Sequence, residues 1–166
     1  MKALVIIMCA VALAASAEPD AGDFLVPSLA GYEFGKSYDL ARTTNCGTCH
    51  YSTSENGTYL LLSQTSKGRL YDVEVRKTIK LVPASEKARY DDLVSQKAKS
   101  EVAAIESMYG IKLCQDKPLY WFFTNGKSRI EVYGSSGTDI HLEDGRPGRA
   151  YVVRIRAERM DILDAD

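Results

Sequence analysis

The 166-residue chain is poor in the side chains on which metal and nucleophilic chemistry usually rest, with two histidines, four cysteines and one tryptophan. It has no excess of either charge: Lys+Arg is 21, Asp+Glu is 22 and the net is −1. No bulk positive field is therefore available to recruit nucleic acid or an anionic membrane. With 12 glycines, 5 prolines, 45% apolar and 26% charged residues, collagen-like and disordered sequence are excluded. No nucleophile elbow, phosphate loop or pair of catalytic carboxylates stands out. An electron carrier or a binding protein is expected rather than an enzyme.

What is present begins with Lys2, an unbroken apolar run over 3–14, and then Ala15-Ser16-Ala17. A short basic start, an apolar stretch and a small-x-small site form a secretory signal over 1–17. The run is too short for the roughly 20 residues of a membrane span, so a secreted or periplasmic protein without a transmembrane segment is expected, its mature chain starting at Glu18. Cys9 leaves with the signal. Cys46, Cys49 and Cys114 remain, an odd number in an oxidising compartment, so at least one escapes intrachain pairing.

The rest reads as one compact α+β domain in two parts: an N-terminal segment over 18–57 and a β-rich body over 58–166. Phe34, Tyr38 and Ala41 lie at helical spacing and predict a short helix within 32–45. Two strands over 59–62 and 70–81 flank a polar turn at Ser66-Lys67-Gly68. A long helix opens after Pro83, with Tyr90, Leu93, Val94, Val102, Ile105, Met108 and Tyr109 on its apolar face and Gly110 as its stop. Strands follow over 119–124, 129–133 and 138–142, the first two joined by Asn125-Gly126, a tight-hairpin dipeptide. A last strand runs over 150–163. The expected body is five or six antiparallel strands with one inserted helix.

Cys46-Gly47-Thr48-Cys49-His50 is the pentapeptide C-x-x-C-H, which reads as a c-type haem attachment site. Two thiols three positions apart can add to the vinyl groups of one haem edge, and the next residue supplies an imidazole to iron. Candidates for the sixth iron position are Met108, His141 and Met160. Met108 is expected in the core, Met160 at a strand end and His141 on the wetter face of its strand. The same residues admit other chemistry. Cys46 and Cys49 could form a small-ring disulfide or redox pair, and with Cys114 and His50 or His141 they could form a four-ligand zinc site. Without haem, Cys114 is expected to bridge to Cys46 or Cys49; with haem, it is left as a buried free thiol.

Residues 35–50, ending in that pentapeptide, resemble the N-terminal helix and attachment motif of bacterial periplasmic c-type cytochromes. The resemblance implies Cys46 and Cys49 as thioether attachments, His50 as the proximal iron ligand, haem c as cofactor, and electron transfer to a redox partner or haem-based sensing of a small ligand. Arg129-Ile-Glu-Val-Tyr-Gly134, the turn Gly145-Arg-Pro-Gly148 and residues 149–163 resemble the closing strands of small OB-type barrels, including those that bind single strands. Arg149, Arg154, Arg156 and Arg159 form a basic stripe near Tyr151, although export and the near-neutral charge argue for a solvated strand face over a nucleic-acid groove. Asn56-Gly57-Thr58 is a glycosylation sequon if the source is eukaryotic. The expectation is an exported monohaem protein, with a secreted, non-catalytic, disulfide-stabilised binding module as the alternative.

Overall fold

The computed structural model describes residues 22–39, 49–55, 58–83, 87–141, 145 and 147–166. The expected signal peptide and Cys46 lie outside the described residues. A small hairpin of β1 (Ser28–Leu29) and β2 (Tyr32–Glu33) comes first. It is followed by β3 (Cys49–Glu55), β4 (Thr58–Gln64), β5 (Leu70–Pro83), α1 (Lys87–Tyr109), β6 (Cys114–Lys117), β7 (Tyr120–Thr124), β8 (Ser128–His141), β9 (Pro147–Arg159) and α2 (Met160–Asp164). Strands β3 to β9 form one seven-stranded sheet in the order β3-β4-β5-β9-β8-β7-β6, antiparallel throughout. α1 leaves the centre of the sheet at β5 and delivers the chain to its far edge, from which β6 to β9 meander back to β5.

Alternation along these strands puts successive residues on opposite faces, and register aligns the apolar ones in rows beneath α1. Leu62, Val73, Ala157 and Ile130 form one row, and Leu60, Val75, Ile155, Val132 and Trp121 the next. Val94, Ala98 and Ile105 of α1 close over them, and all but the half-buried Leu60 belong to one buried cluster. Fully burying a Val, Leu or Ile side chain contributes about 1.5–3 kcal/mol, so this single face holds most of the fold's driving force. Helix and sheet meet most closely at Gly134 of β8, where a Cβ would stand 2.9 Å from Val94 Cγ1 and 3.5 Å from Ala98 Cβ.

The helix face differs from its predicted form in one respect. Buried positions run Val94, Ala98, Glu101 and Ile105, and Met108 is 67% exposed. The reason is geometric: the last turn docks through Tyr109, whose hydroxyl donates to the Ser28 carbonyl, which rotates Met108 outward. Glu101 is tolerated in the stripe because Lys77 Nζ of β5 lies 2.9 Å from its carboxylate and Lys97 Nζ 3.4 Å. Gly110, at φ +66°, terminates the helix as expected.

Three other expectations change. Over the described part of the expected 32–45 helix there is no helix. Tyr32–Glu33 pairs with β1, Gly35 turns at φ +80°, and backbone bonds Gly35 N–Leu70 O (2.8 Å) and Leu70 N–Lys36 O (2.9 Å) tie the segment to β5. Residues 40–45 lie outside the described residues. The sheet is open, with β3 and β6 as its two edges, and does not close into an OB-like barrel. The expected strand at 138–142 is the far end of the 14-residue β8, continuous through an irregularity between Ser135 and Thr138. The N-terminal segment is integral to the body: Val26 and Leu29 are buried in the core, and Phe24 packs edge-on against Phe123 at 5.5 Å.

Candidate ligand-binding face

The sheet face away from α1 is composed mainly of polar and aromatic residues, and register orders them into three rows. The first is Tyr59, Arg76, Arg154, Tyr133, Tyr120 and Lys117, one residue from each of six strands. The second runs Leu61, Glu74, Arg156, Glu131, Phe122 and Cys114, and the third Ser63, Asp72, Glu158, Arg129 and Thr124. Acids occur only in the second and third rows.

Asp72, Glu74 and Glu131 are nearly as buried as the core, at 4%, 5% and 8% exposure. Burial of a carboxylate is costly unless it is paired, and each is met by an arginine from a neighbouring position. Arg156 grips Asp72 with two bonds, Nε–Oδ1 at 2.8 Å and Nη2–Oδ2 at 3.2 Å, while Ser63 Oγ donates to Oδ2 at 3.3 Å. The hydrogen bond to Asp72 raises the pKa of Arg156, and burial pushes that of Glu158 up against the opposing pull of Arg156. Arg129 Nη2 and the Tyr120 hydroxyl both donate to Glu131 Oε1, at 2.7 and 2.5 Å. Burial, then the bond to Glu131, raises the Tyr120 phenol.

The first row is different. Arg76 lies 5.3 Å from the ring centre of Tyr59, and Arg154 the same distance from that of Tyr133. Both arginines turn to a single acid: Arg76 Nε bonds Glu74 Oε1, and Arg154 Nη1 stands 3.9 Å from Glu74 Oε2. The Arg154 Nε has no hydrogen-bond partner. Two solvent-open clefts flank Tyr120. One, of about 600 Å³, is lined by Lys117, Pro118, Tyr120, Glu131, Tyr133 and Arg154; the other, of about 370 Å³, by Phe122, Thr124, Arg129 and Met160; Asp116 borders both. The predicted basic stripe is thus divided. Arg154 and Arg156 share this face, whereas Arg159 pairs with Asp161 at 2.7 Å and reaches the Val26 carbonyl.

The pentapeptide is only partly described. Cys46 lies outside the described residues, and Cys49 and His50 open edge strand β3, their backbones paired with Gln64 and Ser63. The described backbone of the motif is that of an extended strand. Register also separates the two histidines. The row of His50 crosses β8 at Arg129, and His141 is twelve positions further along, roughly 35–40 Å away. Met160 begins α2 instead of ending a strand, because the Met160 N–H bonds the Lys127 carbonyl and turns the chain off the sheet. Cys114, expected buried or bridged, is exposed and unbridged on edge strand β6, at the opposite edge from β3. Among the described residues no group of three or more His, Cys, Asp or Glu could hold a metal ion, and no helix is long and apolar enough to cross a membrane.

The fold defines this chain as an α+β protein built on a seven-stranded antiparallel sheet, with its core under α1 and a charged aromatic face opposite. Comparison with protein-family models, curated proteins and solved structures finds no match.

Proposed function

We propose that the chain is an exported, non-catalytic binding module that takes its ligand on the arginine–tyrosine face. One observation carries the reading: the row Tyr59, Arg76, Arg154, Tyr133, Tyr120 and Lys117 gathers aromatic and cationic groups on the face that the core does not use. The exposed ring of Tyr133 and the half-buried rings of Tyr59 and Tyr120 beside cations, next to clefts of about 600 and 370 Å³, supply the stacking surface and fixed charge by which such modules hold polar ligands. The test is amide chemical-shift mapping of the exported protein against a panel of saccharides, carboxylic acids, nucleotides and short peptides. Shifts clustered on β5, β7, β8 and β9 are expected; shifts confined to α1, or turnover of any panel compound, would refute the reading.

A second reading rests on Cys46-Gly47-Thr48-Cys49-His50 alone, that of a covalent haem c for electron transfer or sensing, with His50 as iron ligand. It is tested by an absorption spectrum and intact mass after export from a host with haem-attachment machinery. A Soret band with the haem mass increment supports it, and their absence removes it.

A further inference from the structure

We infer that the Arg76–Arg154 pair is an anion site and that its row receives an acidic sugar chain, an inference that rests on the binding face proposed above. Arg76 and Arg154 stand directly opposite each other on adjacent strands, an arrangement of like charges that weakens a sheet unless something compensates it. The compensation is incomplete. Among the described residues Glu74 alone meets both guanidiniums, bonding Arg76 Nε and standing 3.9 Å from Arg154 Nη1, so two like charges share one acid; Arg154 Nε is itself buried and out of a ligand's reach. By contrast, Arg156 and Arg129 are each matched by their own carboxylate, Asp72 and Glu131. One anionic group lying across Arg76 and Arg154 completes the charge balance, and the guanidinium geometry suits a carboxylate.

The flanks define the remainder of the ligand. Tyr59 lies beyond Arg76 and Tyr133 beyond Arg154, so the row reads Tyr-Arg-Arg-Tyr before it continues through Tyr120 to Lys117. Strands are about 4.8 Å apart, so the row presents one side chain per step comparable to a pyranose unit and spans roughly 24 Å. Its main cationic point is the arginine pair; Lys117, two uncharged tyrosines and roughly 14 Å beyond Arg154, is a weaker one because its Nζ lies 4.0 Å from Asp116 Oδ2. A chain with anionic groups spaced by neutral rings matches this pattern. A nucleic acid strand, charged at every unit, does not.

The experiment is titration calorimetry of the exported protein with a hyaluronan hexasaccharide, in which each internal carboxylated sugar is flanked by neutral sugars as the arginine pair is by Tyr59 and Tyr133, against chitohexaose and the oligonucleotide dT6. The hexasaccharide is expected to bind with a Kd below about 1 mM and to weaken as salt is added. Arg76→Gln and Arg154→Gln should each weaken it about tenfold, and Lys117→Gln about threefold. Tyr59→Leu and Tyr133→Leu should also weaken it, and they leave Glu74 paired, so loss of binding without loss of folding is separable by circular dichroism. Chitohexaose binding equally well, dT6 binding more tightly, or an Arg154→Gln protein with unchanged affinity would overturn the inference. If a neutral sugar or dT6 shifts amides of this row, the binding face stands and the acidic-glycan assignment falls; if no probe shifts them, both fall.

Discussion

The close approach of α1 to β8 gives the sharpest test of the fold. Gly134 has no positive φ to satisfy, and in a strand Gly→Ala would ordinarily gain about 0.5–1 kcal/mol from reduced freedom of the unfolded chain. Here an added Cβ would meet Val94 Cγ1 at 2.9 Å and Leu119 Cβ at 3.3 Å, whereas carbon atoms rest near 3.5–4.0 Å. Neither neighbour has slack: Val94 is fully buried, and Leu119 is fixed by its carbonyl bond from Gly134 N at 2.8 Å. Over-packing costs about 1–3 kcal/mol, and a contact at 2.9 Å against neighbours without slack falls in the upper part, about 2–3 kcal/mol, so Gly134→Ala is expected to destabilise the protein by about 1–2 kcal/mol after a gain of about 1 is subtracted. For a chain of this size that lowers Tm by roughly 2–8 °C in a calorimetric scan. The cause is checked by a double-mutant cycle: Val94→Ala removes the obstructing methyls, and Gly134→Ala should then cost less by about 1 kcal/mol. A Gly134→Ala protein as stable as the parent, or a strictly additive cycle, would show that the helix does not rest on this glycine.

Other expectations follow from the charged face and the edges. Arg156→Gln leaves Asp72 buried with Ser63 as its nearest remaining donor, and should cost about 2–3 kcal/mol in urea unfolding; Asp72→Asn in the same chain should recover part of it, and full additivity would argue against a coupled pair. Hydrogen bonds from Thr65 and Arg69 hold Asp166 down to about 2. A carboxyl lowered in the folded state adds stability above its unfolded value near 4 and loses it as pH falls through the folded value. Asp166→Asn should therefore flatten the loss of stability between about pH 4 and 2, and an unchanged acid limb would count against the bond. Cys114→Ser should abolish one equivalent of thiol reactivity toward a disulfide reagent in the native protein while changing stability by less than about 0.5 kcal/mol; a large stability loss would mean that the thiol is bridged.

The elements with strong local signals were readable before any tertiary contact was known. The 59–62 and 70–81 strands, the long helix ending at Gly110 and the Asn125-Gly126 turn all appear, with Gly126 at φ +83° as the hairpin requires. The 32–45 helix was expected from three residues at helical spacing. Its described part is instead held by backbone bonds to β5, which outweigh so weak a period. Met108 sat at acceptable helical spacing for the core, but the exit angle set by Tyr109 and Ser28 turned it outward. For the candidate site, Arg154 and Arg156 were visible as a basic stripe, and alternation could have separated them from Arg159. Nothing in sequence order brings Tyr59, Arg76, Arg154 and Tyr133 together, because they come from β4, β5, β9 and β8.

The sequence by itself determined the α+β class, the one long helix, the turns and the two faces of each strand, since these follow from local period and from backbone preferences at Gly and Asn-Gly. It also carried the pentapeptide and the scarcity of histidine and cysteine that frames every reading of it. Only the tertiary structure decided that the sheet is open, that its edges keep Cys114 apart from β3, and that β9 lies between β5 and β8. Strand order and register are set by pairings between residues as far apart as Asp72 and Glu158, where loop closure, helix crossover and burial under α1 act together. It is this long-range register that places two arginines and two tyrosines in one row, and with them the candidate site.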